Sequence, residues 1–165
     1  MISSMLAMGL LIIGILSRTL IHIPNFTPVL AIALFGGVYL HKPYAILLPL
    51  ALMVISDLMV GMHSTILFTW GTMILIGATG LWLRQHKNWK AILGSSLWSA
   101  ILFFIVTNFG VWIVGDLYPM TKEGFVECFV MAIPFFKWTL LSTLAYTVVL
   151  FGSYEWIRVR YPKLA

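Results

Sequence analysis

Residues 91–115 read AILGSSLWSAILFFIVTNFGVWIVG, a run without one Asp, Glu, Lys or Arg. At 1.5 Å per residue such a run makes a helix of about 37 Å, longer than the roughly 30 Å hydrocarbon core of a bilayer. A helix this uniformly apolar offers no face to water, so lipid is its expected surroundings. The rest of the chain agrees. Of its 165 residues, 61% are hydrophobic and 9% charged, whereas a soluble domain carries about 25% charged residues to cover its surface. Membrane lipid is therefore the first expected partner.

Outward from that run, further apolar stretches fall at about 2–20, 28–41, 43–61, 64–83 and 130–157, each bounded by charge, Pro or polar clusters. Together they predict an all-α, polytopic membrane bundle of six transmembrane helices, a single domain over residues 1–165. The 2–20 stretch has no Lys or Arg before it and no small-residue cleavage site after it, so it reads as a first membrane helix rather than a signal peptide. No soluble domain is expected at either end. The 28–41 segment is the odd one. Its 14 residues make only about 21 Å of helix, too little for a full span.

The distribution of basic residues sets the expected orientation. With the N-terminus inside, Lys42, Arg84, Lys87, Lys90, Arg158, Arg160 and Lys163 fall in the cytoplasm, against Arg18, Lys122 and Lys137 outside. Trp82, Trp89, Trp156 and Tyr161 accompany the inner set, and Trp112 and Tyr118 the outer end, as interface anchors do. Both termini are thus expected in the cytoplasm. The net charge of +5 reports this topology and not a nucleic-acid surface, because the basic residues are dispersed between apolar spans. The lone Cys128 excludes an internal disulfide and a cysteine metal cage, and reads as a small packing residue. Ala33 with Gly37, and Ala91, Ser95 and Ser99, stand four apart, a spacing that lets helix backbones approach closely. Thr139, Thr143 and Thr147 form a polar seam that bonds neighbouring helices or its own backbone.

Sorted by this topology, the intramembrane polar groups gather at the outer half. They are the stretch Arg18-Thr19-Leu20-Ile21-His22-Ile23-Pro24-Asn25-Phe26-Thr27-Pro28, then Asp57 and His63, Thr107 and Asn108, Trp112 and Asp116, and Lys137. Pro24 and Pro28 disfavour helix in the residues before them, and Thr27-Pro28 reads as a helix start. Irregular backbone at membrane depth requires cover by protein or a water-filled cavity. A recessed pocket is expected there, opening outward and lined by residues 22–27. Its substrate-binding residues would be His22, Asn25, Phe26, Thr27, Asp57, Asn108, Trp112 and Lys137. A carboxylate in a span marks function by default, yet Asp57 also reads as an ion-pair partner of Arg18 or Lys137, or as an interfacial group. Lys137 reads equally as a snorkelling residue, and Asn108 as a bond to a neighbouring helix. His63, His41 and His86 read as interfacial or loop residues. The four histidines lack metal-ligand spacing, no cofactor-binding motif is present, and no nucleophile is placed beside Asp57 and His63. No catalytic residue, metal or cofactor is expected, and the chain reads as no enzyme.

At HIPNFTPVLAIALFGG (22–37), PLALMVISDLMVG (49–61), LFFIVTNFGVWI (102–113), YP (118–119) and AIPFFKWTLLSTLAYTVVLFG (132–152), the chain resembles a family of uncharacterised prokaryotic membrane proteins. That family is similar in size and topology to the S components of energy-coupling factor (ECF) transporters, which take up vitamins and metal ions. The resemblance implies a prokaryotic inner (plasma) membrane and a small-molecule solute captured near the outer face. It further implies a transmembrane coupling subunit and ATPases as partners, since this chain has no ATPase motif. Where the family carries a polar Asn after PFF and a later Gly-Asp, this chain has Lys137-Trp138 and Ser142-Thr143. The expected function is a solute-binding subunit of an uptake transporter. The alternatives are a structural subunit of a membrane complex, with Asp57 and Lys137 as internal glue and no cavity, and an intramembrane enzyme built on Asp57 and His63.

Overall fold

The computed structural model describes residues 2–20 and 23–161. Among these the chain is all-α, with α1 (Ile2–Leu20), α2 (Val29–Tyr39), α3 (Tyr44–Val60), α4 (Ile66–Gln85), α5 (Trp89–Val114) and α6 (Lys122–Arg160). Helices α4, α5 and α6 are long and apolar enough to cross a membrane, and α1, α2 and α3 are shorter apolar helices. The outward-facing side chains of the long helices are themselves apolar: Leu97, Trp98 and Ile105 on α5, and Val130, Leu141 and Val149 on α6, are all exposed. A surface of this composition suits lipid contact rather than water.

Helix α2 is central. Every residue from Val29 to Val38 is buried, and α2 packs against all five other helices. A helix that is hydrophobic all round belongs in a core. The sequence reads this segment as too short for a full span, and in the structure it is the axis of the bundle. Around it the contacts run α1–α3–α4–α5–α6, and among the described residues α1 and α6 do not touch. The ring is therefore open on one side. At one level α2 fills the gap, and at the other the 23–28 connection lies across it, held where the Ser142 hydroxyl donates to the Asn25 carbonyl at 3.3 Å.

Glycine allows the helices to pack closely. A Cβ on Gly37 would stand 2.6 Å from Gly80 Cα and 2.8 Å from the Gly77 carbonyl, so α2 and α4 meet backbone to backbone. The small-residue spacing at Ala33 and Gly37 thus serves packing within this chain. Proline contributes beside it. Pro49 inside α3 leaves the Ala45 carbonyl without its helical donor, and that carbonyl lies on the α-carbon side of Gly77, where a Cβ would collide with it.

The end of α2 depends on α4. Arg84 donates from Nε and Nη2 to the Gly37 carbonyl at 3.0 and 2.8 Å, and from Nη2 to the Leu40 carbonyl. A cation there satisfies carbonyls that have no donor of their own and complements the negative end of the helix dipole. At the same level Tyr39 donates to Glu155 at 2.5 Å, and Lys87 pairs with Glu155 at 2.6 Å. Residues read above as topology signals therefore also hold the bundle together.

Helix α6 begins at Lys122 and not near 130, and runs 39 residues. Thr121 caps it, its hydroxyl accepting from the Gly124 amide at 3.2 Å, with Glu123 in the first turn. The apolar stretch at about 130–157 leaves out this start, although Thr121 and Glu123 are an ordinary helix-start signal. Lys137 consequently lies well inside the helix and not at its start.

Candidate functional site

Because α2 has only 11 residues while α5 has 26, the bundle axis is unfilled beyond Val29. A cavity of about 480 Å³ occupies that space, within the range of roughly 300–1,000 Å³ typical of small-molecule sites. Its wall draws on all six helices. Arg18 comes from α1, Val29 and Leu30 from α2, Met53 from α3, and Thr69 and Met73 from α4. Helix α5 adds Phe103, Phe104, Thr107, Asn108 and Val111, and α6 adds Ala132, Phe135, Phe136, Thr139, Ser142 and Thr143. Ile23, Pro24, Asn25 and Thr27 from the α1–α2 connection and His63 from the α3–α4 connection complete it.

The local backbone explains these placements. Asn25 takes a left-handed conformation with φ 60°, which asparagine tolerates better than most residues, and the Phe26 amide closes the turn on the Ile23 carbonyl at 3.1 Å. Helix α2 then starts with Pro28 at its cap position and no side-chain cap. Its first-turn amides have no intrahelical acceptor, and Thr27, Val29 and Leu30 border the cavity there.

Several hydroxyls on the wall spend their protons at home. Thr107 donates to the Phe103 carbonyl at 2.7 Å, Thr139 to Phe135 at 3.3 Å, and Thr143 to Thr139 at 2.6 Å. Each keeps acceptor capacity. Asn108 likewise gives its amide to the Phe104 carbonyl at 2.7 Å. The polar seam on α6 also reaches α5, with Ser96 donating to Thr147 at 2.9 Å.

Beside the cavity lies a charged cluster. Arg18 Nη2 is 2.8 Å from Asp57 Oδ1, and Arg18 Nη1 donates to Ser56 Oγ at 2.7 Å and approaches Met53 Sδ at 3.1 Å. Trp70 Nε1 donates to Asp57 Oδ2 at 2.8 Å, and His63 Nε2 lies 3.7 Å from the same oxygen. The Arg18 contact is charge proximity without hydrogen-bond geometry, since Oδ1 accepts no hydrogen bond. Asp57 is 1% exposed. The cluster ties α1, α3, α4 and the α3–α4 connection together, which no reading of α3 alone reveals.

The expected site residues divide on this geometry. Asn25, Thr27 and Asn108 line the cavity. Asp57 does not; it sits behind Arg18 as that residue's ion-pair partner. Phe26 turns away to pack edge-on against Trp138 and beside Tyr146, with centroids 6.2 and 5.8 Å apart. Trp112 leaves the wall because its indole donates to the Pro119 carbonyl at 3.1 Å, bracing the α5–α6 connection. Lys137 is exposed, its ammonium 5.2 Å from the Trp138 ring. His22 lies outside the described residues. Arg18, His63 and the Thr69, Thr107, Thr139 and Thr143 hydroxyls also line the cavity and were not among the expected binding residues. Their helical spacing was visible, but which faces converge depends on the packing. Among the described residues no group of His, Cys, Asp and Glu is placed to hold a metal ion.

The class defined by this fold is an all-α bundle of apolar helices around one short buried helix, with a cavity of mixed polar and apolar lining at one end. The chain belongs to the family described as "Family of unknown function (DUF6580)", whose family model matches residues 2–164. No curated protein and no solved structure matches it.

Proposed function

We propose that this protein is a membrane-embedded solute-binding subunit of a small-molecule uptake transporter, of the S-component type. All six helices lie across the membrane with both termini in the cytoplasm, in a prokaryotic plasma membrane. The cavity carries this reading: about 480 Å³ at the end of the bundle that bears the α1–α2, α3–α4 and α5–α6 connections. In the proposed orientation that end faces outward. Solute enters there, and delivery inward follows engagement with a transmembrane coupling subunit and its ATPases. An assembly subunit without a ligand would favour a filled core, because an unfilled cavity forfeits packing contacts. Catalysis on Asp57 is disfavoured, since its oxygens face Arg18 and Trp70 and the neighbouring Ser56 hydroxyl donates to its own helix and accepts from Arg18.

Native mass spectrometry of the purified protein tests the proposal. A retained small molecule is expected, and it should be lost in Thr107→Trp, whose side chain would fill the cavity. Empty protein in both cases, with solute-dependent uptake absent as well, would refute the reading.

A further inference from the structure

The charge on the cavity wall discriminates between ligands. Arg18 faces the cavity, while its counter-ion Asp57 lies behind it and takes no part in the wall. The pair is a dipole with its cationic end toward the ligand, and no carboxylate lines the cavity among the described residues. A guanidinium has five N–H donors; Ser56, Met53 and Asp57 account for three contacts, so donors remain for an occupant. On the α5–α6 side Thr107, Thr139 and Thr143 offer acceptors, because they give their protons to their own helices, while the Asn108 amide keeps a second N–H beyond its bond to Phe104. An aromatic pair stands on that side, Phe104 and Phe136, with centroids 4.7 Å apart.

From this arrangement we infer that the cavity takes a small organic anion built on a flat ring. Its carboxylate shares the Arg18 guanidinium, in the charge-assisted geometry that arginine provides for planar oxyanions. Its ring packs on Phe104 and Phe136, and a donor on the far edge of the ring meets the threonine hydroxyls. A cationic head is disfavoured at Arg18, because the low-dielectric surroundings of a bundle core strengthen its repulsion from the guanidinium. A metal ion is disfavoured for the same reason. The inference rests on the solute-binding reading above and specifies the solute's charge and shape.

Three ring compounds matched in size and differing in charge test it: benzoate, benzamide and benzylammonium, each at millimolar concentration with the full-length protein in detergent. Tryptophan-fluorescence melts should show benzoate raising Tm most, benzamide less, and benzylammonium not at all. In the double variant Arg18→Gln/Asp57→Asn, which removes the charge pair but keeps hydrogen-bonding groups, benzoate binding should weaken about ten- to a hundredfold, the loss of one charge-assisted bond. Benzamide binding should weaken less than benzoate binding. Preference for benzylammonium, or undiminished benzoate binding in the double variant, overturns the inference. If that variant does not fold, the ranking on the unaltered protein decides alone. If none of the three binds, the molecule retained in native mass spectrometry decides. An anionic ring compound sustains the inference, and a cationic or uncharged one overturns it while leaving solute binding intact. Protein that is also empty removes the solute-binding reading itself.

Discussion

Replacing Gly37 by alanine adds a single methyl group, where the backbones of α2 and α4 meet. The new Cβ would stand 2.6 Å from Gly80 Cα and 2.7 Å from Gly80 C, where carbon atoms in contact keep about 3.5–4.0 Å. Both obstacles are backbone, so no side chain can swing aside, and α2 and α4 must separate by about 1 Å to restore that spacing. Overpacking of this kind costs about 1–3 kcal/mol. The separation also pulls the Gly37 carbonyl from Arg84, which now holds it at 3.0 and 2.8 Å, and a hydrogen bond to a charged group is worth about 1.5–3 kcal/mol. The expected total is about 3 kcal/mol or more, equivalent to a fall in Tm of about 6–12 °C by the scaling of soluble domains this size. Gly80→Ala should behave alike, since its Cβ would meet the Leu34 carbonyl at 2.7 Å and Gly37 Cα at 2.9 Å. Gly71→Ala and Gly94→Ala are the controls, with nothing within 4 Å of the added carbon; their effect should stay within about 1 kcal/mol, the helix-propensity difference. Melts of all four variants in one detergent, followed by circular dichroism, make the comparison. Equal Tm for Gly37→Ala and wild type, or one common shift across the four, would show that α2 and α4 do not meet as described.

The Arg18–Asp57 pair should behave as a coupled unit. Each single replacement, Arg18→Gln or Asp57→Asn, leaves a mostly buried partner charge and should cost about 3–5 kcal/mol, while the double variant should cost clearly less than the sum. Strict additivity in a melting cycle would refute the pairing. At the other end of the bundle, Arg84→Met should release the last carbonyls of α2 at a cost of about 1.5–3 kcal/mol, visible as faster hydrogen exchange at the amides of residues 36–40, with Arg84→Lys intermediate. Unchanged exchange would remove Arg84 from its capping role. The proposed six-span topology predicts sidedness in a Cys128→Ser background: cysteines at the exposed positions Ser64 and Met120 should react with an impermeant maleimide from one face, and one at Gln85 only from the other. Labelling of all three from the same face would refute it. Native Cys128, 2% exposed with its thiol 3.4 Å from the Asn108 carbonyl, should resist the same reagent in the folded protein.

Apolar run length and the dispersal of charge made the six helices legible from sequence, since a helix without a polar face leaves its mark in every residue. Within α2, however, the same signal is ambiguous: an all-apolar segment reads alike whether it faces lipid or other helices. Only packing shows that Val29 to Val38 are buried on all sides, with Gly37 against Gly80. The start of α6 was legible too, in Thr121 and Glu123, but it lies before the apolar run.

By itself, the sequence determined that polar residues cluster toward one end of the bundle and that the segment after Pro28 is too short to span. Both follow from counting along the chain. What the tertiary structure decided is which of those residues face inward. Asn25, Thr27 and Asn108 reach the cavity, whereas Phe26, Trp112 and Lys137 are diverted to Trp138, Pro119 and the exterior. Asp57 is withdrawn behind Arg18. Helical periodicity assigns each side chain a direction relative to its own helix only. Direction relative to a cavity depends on how six helices are rotated against one another, and that rotation is set by contacts between residues distant in sequence: glycine on glycine, arginine on carbonyl, and one buried ion pair.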